Sequence, residues 1–318
     1  MNTFYFFADF DNYTATISNK KLGSFIYKDV PIKWKNNGII ILSSNINFKF
    51  IKNIKKSNKQ IVGLLKSNLQ KQIRRKLASS FTTTRELLNI NPFELFRRLI
   101  IISFEDVIPN IHTSLLCWLM AAMSKNLVLN DKIINFTYNY LKILLENNKY
   151  ITDNLNTLVT LDTLDTHNLL TIDIIDKFNH TQKNIIKAIY FRTAYGGLKG
   201  DLIMINNVLC NYLNNNIKLE KYKKTILNNK LYIYGPLKIH ICAIDHHIYP
   251  AIIDFLYSKF NKIYSKQLLE TIIWECNSKK NVRKNQDIKL EHIKIFKIIK
   301  NELRLLQYKY LNNIIYCF

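Results

Sequence analysis

The sequence predicts an α+β fold that is predominantly α-helical, with a small N-terminal β-sheet followed by a large helical domain. Three observations predict it. The first 55 residues cluster aromatic and β-branched side chains in short runs, whereas from Lys55 onward apolar residues recur at helical spacing. Seven glycines and five prolines in 318 residues are too few for the many tight turns of an all-β sandwich. With 48% of its residues apolar, the chain can bury a sizeable core, yet no apolar run reaches membrane-spanning length; the longest lie at Leu99–Phe104 and Leu115–Met123. The expected division is residues 1–55 as the β-rich region and 56–318 as the helical domain.

Strands are expected at Thr3–Phe7, Tyr13–Ile17, Ser24–Val30, Ile39–Leu42 and Ile46–Ile51, with Asn36-Asn37-Gly38 as a tight turn. Asp9 and Asp11 form a D-x-D pair, which reads as a turn between strands rather than a metal site. Between Lys49 and Lys76 lies the densest basic segment, where Ile54, Ile61, Leu65, Leu69 and Ile73 form an apolar seam and lysines and arginines take the remaining positions. That pattern suits a helix that faces phosphates with its back on the core, or equally a solvated face.

The next helix is well marked: Asn91 as cap, Pro92 at the first helical position and Glu94 three residues after the cap. Phe96, Leu99, Ile100, Ser103 and Val107 make one side of it apolar. Pro109 breaks the chain, and Ser114–Lys125 is apolar almost all round, as a buried core helix is. Helices follow at Asp131–Glu146, with Ile134, Tyr138, Leu141 and Leu145 on one side, and at Thr181–Tyr195, stopped by Gly196-Gly197. The stretch YGGLKGD admits a phosphate-loop reading, but it lacks the P-loop spacing and fits a helix C-cap and tight turn better. Another helix runs to about Leu213, and the tail holds helices near Tyr249–Phe260, Lys266–Cys276 and Gln286–Asn312, the last lysine-rich on one face.

Charge is the strongest functional signal. Forty-six basic against 23 acidic residues leave a net charge of +23, a field that attracts polyanions. It is segregated: residues 30–85 carry 13 Lys or Arg and no Asp or Glu, while 150–176 carry five Asp and no Lys or Arg. Heavy use of lysine and asparagine points to an AT-rich genome, such as that of a large DNA virus or a protist, and accounts for part of the excess. Five widely spaced cysteines without a C-x-x-C pair read as reduced, mostly buried thiols of a cytosolic protein. Asp9 and Asp11 interrupt the apolar start before a signal peptide could form, so the expected location is the cytoplasm, or a viral replication site or nucleus. The residues expected to contact phosphates are Lys52, Lys55, Lys56, Lys59, Lys71, Arg74, Arg75 and Arg97.

Two further constellations carry chemistry. His240 and the run Asp245-His246-His247 superficially resemble the DHH phosphoesterases, which implies a metal-dependent hydrolase; the alternative is a polar loop ahead of Pro250 with one buried histidine. The run IRRK, followed some twenty residues on by FRRLIIISFEDV, resembles the helical region after the ATPase domain in the RarA/MgsA branch of AAA+ clamp-loader relatives. The likeness covers residues 69–107 and carries onto Arg97, Arg98, Leu99, Glu105 and Asp106. No Walker A sequence accompanies it, so it implies a helical scaffold of replication or repair machinery without the motor. Glu105 and Asp106 oppose the dipole at a helix C-terminus, so a structural ion pair is expected there; Arg98 is placed to pair with Glu94, and Arg74–Arg75 is the nearest candidate partner for the two acids. The expected function is non-catalytic binding of DNA or RNA through phosphates, as part of a protein complex or homo-oligomer, with no cofactor or metal. The other readings are the phosphoesterase and a structural assembly protein.

Overall fold

The structure, a computed structural model, describes residues 3–23, 26–34, 38–51, 58–107, 110–147, 178–197, 199–214, 235–244, 250–279 and 288–315. Ten α-helices and one four-stranded N-terminal sheet among these residues make the protein a predominantly helical α+β fold. The chain divides into two compact units: Met1–Lys55 with Pro92–Asn228, and Lys56–Asn91 with Asn229–Phe318. The helical part is thus split between the two, and the sheet shares its unit with the helices of 92–228.

In the first unit, β1 (Thr3–Asp9), β2 (Thr14–Ser18), β3 (Ile26–Trp34) and β4 (Gly38–Ser44) form a sheet ordered β2-β1-β4-β3. β1 runs parallel to β4, with Tyr5 opposite Ile41, and antiparallel to β2, with Phe6 opposite Ile17. The antiparallel β3–β4 pair slips register between Tyr27 and Pro31, where a proline on an edge strand is tolerated. The loop after β1 is a turn, as expected: Asp9 Oδ1 accepts from the Asp11 and Asn12 backbone N–H groups at 3.0 and 3.1 Å. The expected fifth strand at Ile46–Ile51 does not form. Only Phe50 bridges to Leu127, because Phe48 is used as a core side chain, edge-on to Trp118, rather than as one face of a ladder.

Five helices complete this unit: α3 (Pro92–Glu105), α4 (Thr113–Met123), α5 (Asp131–Glu146), α6 (His180–Tyr195) and α7 (Lys199–Asn214). Every residue of α4 is buried, which is why its sequence is apolar on all sides. It docks on the sheet through polar as well as apolar contacts: Trp118 Nε1 donates to the Phe6 carbonyl at 2.9 Å, and Ser114 Oγ accepts from the Ala15 N–H. α5 has the expected bounds and starts at Asn130, whose side chain accepts from the Ile133 N–H; of its expected apolar side, Tyr138 and Leu141 are buried and Ile134 and Leu145 half-buried, while Ile133, Phe136, Tyr140 and Leu144 complete the buried surface. α6 starts with a reciprocal Asn179–Gln182 capping box and packs Phe191 edge-on against Phe6.

The second unit is all-helical among the described residues: α1 (Lys59–Arg74), α2 (Ser80–Ile90), α8 (Pro250–Phe260), α9 (Lys266–Ile273) and α10 (Leu290–Ile315), with a short 3₁₀ turn at Ile241–Ala243. Its core brings Leu64 of α1 together with Ile252, Leu256, Leu269, Ile272, Ile299 and Leu303. A polar network holds the chain before the 3₁₀ turn onto α1. Asn68 Nδ2 and Gln72 Nε2 both donate to the Lys238 carbonyl, and Asn68 Oδ1 accepts from the His240 N–H at 2.7 Å. Buried amides of this kind are tolerated because their partners are satisfied.

Candidate nucleic-acid interface

The expected phosphate-contacting residues separate into three groups. Lys52, Lys55 and Lys56 lie outside the described residues, as do Asp245, His246 and His247 and the acidic stretch 150–176. Lys59 is exposed in the first turn of α1. Lys71 and Arg74 are only 4% and 8% exposed, although the amphipathic pattern puts them on the outward side. They occupy the last turn of α1, where cations complement the helix C-terminus; α2 packs on that turn through Thr83, whose hydroxyl donates to Gln72 Oε1 at 2.8 Å. Arg75 is half-buried and donates Nη1 to the Lys71 carbonyl at 3.1 Å.

On α3, Glu94 pairs with Arg97 at 2.8 Å, three residues on, and Arg98, four residues on, is half-buried. Asp106 is 1% exposed and Glu105 half-buried, in the first unit, while Arg74 and Arg75 belong to the second.

His240 caps the 3₁₀ turn: its Nδ1 accepts from the Cys242 N–H at 3.1 Å. Burial pushes its pKa down to about 4, and the neighbouring cations Arg75, Arg304 and Lys71 push the same way. The imidazole is therefore neutral at physiological pH. Arg304, which no spacing in the sequence singles out, donates to Gln307 Oε1 at 3.1 Å and reaches Cys242 Sγ at 3.7 Å. Among the described residues, no three His, Cys, Asp or Glu side chains are grouped to hold a metal ion, and Cys117, Cys210, Cys242 and Cys276 are buried free thiols. No helix among the described residues is long and apolar enough to cross a membrane.

Among the described residues, a long exposed basic feature is α10 with the residue before it. Lys289, Lys294, Lys297, Lys300 and Lys309 are exposed, against Glu291 as the exposed acid; Glu302 is half-buried and tied to Lys259 at 2.6 Å. Four large apolar side chains stand among these lysines: Leu290, Ile298, Leu305 and Tyr308 are 67%, 58%, 65% and 57% exposed. The lysine-rich face expected of this helix is present and has apolar members that a merely solvated face does not need. No protein family, curated protein or solved structure matches the chain.

Proposed function

We propose that this protein binds nucleic acid without catalysis, as a helical scaffold that engages phosphates electrostatically. The observation that carries the proposal is the solvent-facing lysine array of α10, in a chain of net charge +23. Four lysines on one long helix, with Lys289 just before it, provide closely spaced positive charges for a polyanion, and Tyr308 offers a ring for base stacking. The replication or repair context rests on the resemblance of residues 69–107 alone.

The test is fluorescence anisotropy with single- and double-stranded DNA and RNA across a salt series. Affinity is expected to fall steeply between about 50 mM and about 200 mM salt, with a log–log slope of roughly −0.9 per neutralised phosphate on a duplex. Replacing Lys294, Lys297, Lys300 and Lys309 with Gln should flatten that slope by about 3 or more. Absence of binding at low salt, or a slope unchanged in the variant, rejects the proposal.

A second reading, assembly through the same helix, is favoured by Leu290, Ile298 and Leu305 being exposed. Sedimentation separates the two: Leu305→Glu dissociates an oligomer if the face joins copies, and leaves a monomer unchanged if the face serves a polyanion.

A further inference from the structure

Arg192 is fully buried at the end of α6, yet only one of its three nitrogens is used. Nη1 donates to the Gly196 carbonyl at 2.8 Å, while Nε and Nη2 have no hydrogen-bond partner among the described residues. Orphaned guanidinium donors in a protein interior are costly and rare. The nearby thiol cannot serve as counter-ion: burial pushes Cys117 up to about 12, so it stays protonated. Glu94 and Asp201 act on Arg192 through their fields, but Glu94 is hydrogen-bonded to Arg97, and Asp201 makes no ion pair within 4 Å among the described residues.

A second guanidinium converges on the same place. A Cβ built on Gly197 would lie 3.3 Å from Arg97 Nη2 and 3.5 and 3.6 Å from Arg192 Nη2 and Nη1. Two like charges thus face one exposed glycine with no side chain between them. Arg97 is held there by Glu94 on Nη1 and by the Phe93 ring, 5.4 Å from its guanidinium carbon, which leaves Nη2 toward the glycine. α7 opens two residues later, and its first-turn N–H groups have no acceptor within the helix. Gly196, at φ +95°, holds a left-handed conformation that only glycine adopts freely, so the loop geometry depends on the glycine pair.

We infer that Arg97, Arg192 and the Gly196-Gly197 turn before α7 form a binding site for a phosphoryl group. Arg97 Nη2 contacts the ligand directly, beside the α7 N-terminus. Arg192 supplies positive potential from behind, and rotation of the glycine pair frees its Nη1 from the Gly196 carbonyl to complete a two-arginine clamp. The site is independent of the α10 lysines, so it stands or falls separately from the nucleic-acid reading. The phosphoryl group can be free phosphate or the end of a polynucleotide.

The test is calorimetric titration of the full chain with inorganic phosphate at constant ionic strength, then with an oligonucleotide carrying a 5′-phosphate or a 5′-hydroxyl. Saturable phosphate binding is expected, weakened about tenfold or more by Arg97→Gln, the loss of one charge-assisted hydrogen bond. Gly197→Ala, which places a methyl group against both guanidiniums, should weaken it similarly while α6 and α7 keep their helicity. A preference for the 5′-phosphate end identifies the polynucleotide as source, and equal affinity for the two ends identifies free phosphate. No saturable binding at about 10 mM phosphate, or equal binding in the wild type and both variants, overturns the site.

Discussion

His240 shows how one side chain couples the basic cluster of the second unit to pH. Its Nδ1 must be unprotonated to accept the Cys242 N–H, and the surrounding Arg75, Arg304 and Lys71 oppose a further positive charge. With the folded pKa near 4 and the unfolded value near 6.5, the unfolded chain binds the extra proton between those limits. Stability contributed by the neutral imidazole is therefore full above pH 6.5 and is lost as pH falls toward 4. The expected loss is on the order of 2 kcal/mol, after allowing for partial solvent contact. Urea melts at pH 7 and pH 4.5 should show it, and His240→Asn, whose carbonyl can still cap the turn, should remove that part of the pH dependence. A variant with the same pH profile as the wild type rejects the coupling. The residues that matter here were unevenly legible. His240 stood out as a histidine, but Arg304 and Arg192 are single arginines in helical stretches, and spacing carries no signal for a lone cation.

At the scale of elements, helix bounds were legible where local signals mark them: α3 opens at Pro92, the first helical position its Asn91-Pro92-Glu94 run predicts, and α6 ends at Tyr195 before Gly196-Gly197. The burial of Lys71 and Arg74 was not. A helical period says which side of α1 is apolar, not which polar positions a neighbouring helix will cover. Ile46–Ile51 failed for the same reason, since alternating apolar residues also suit an irregular segment laid against a core. The end of α3 offers a sharper test. Asp106 follows the helix, donates its backbone N–H to the Ile102 carbonyl at 2.9 Å and is buried where the helix dipole disfavours an anion. A buried carboxylate in that position requires cationic or hydrogen-bonding compensation. Asp106→Ala should therefore destabilise the protein by about 3 kcal/mol, with Glu105→Ala milder because Glu105 is half-buried. Equal and negligible changes in thermal stability for both would show that neither acid is structurally paired.

At the scale of the whole chain, the second unit is assembled from Lys56–Asn91 and Asn229–Phe318, and the entire segment Pro92–Asn228 intervenes. Periodicity and capping act over a few residues, so no local pattern could announce that α1 and α2 share a core with α8 to α10. The dependence is specific. Leu64 is a fully buried member of that core, and Asn68 and Gln72 supply the hydrogen bonds that seat the chain at Lys238 and His240. Without α1, the apolar sides of α8, α9 and α10 lose one covering helix, and the Lys238 carbonyl and His240 N–H lose their amide partners. Each buried group left unsatisfied costs about 1–3 kcal/mol, and losing Leu64 costs about 2 kcal/mol or more, together comparable to the stability of a small domain. A fragment of residues 229–318 should therefore show helical far-ultraviolet circular dichroism but no cooperative thermal transition. Adding a peptide of residues 58–91 should restore one, with a midpoint that rises with peptide concentration, since a partner that binds only the folded form stabilises it by mass action. The α10 lysines should bind oligonucleotides through that restored unit with the salt dependence of the full chain. A cooperative transition in the fragment alone would instead mean that α8 to α10 form an independent core.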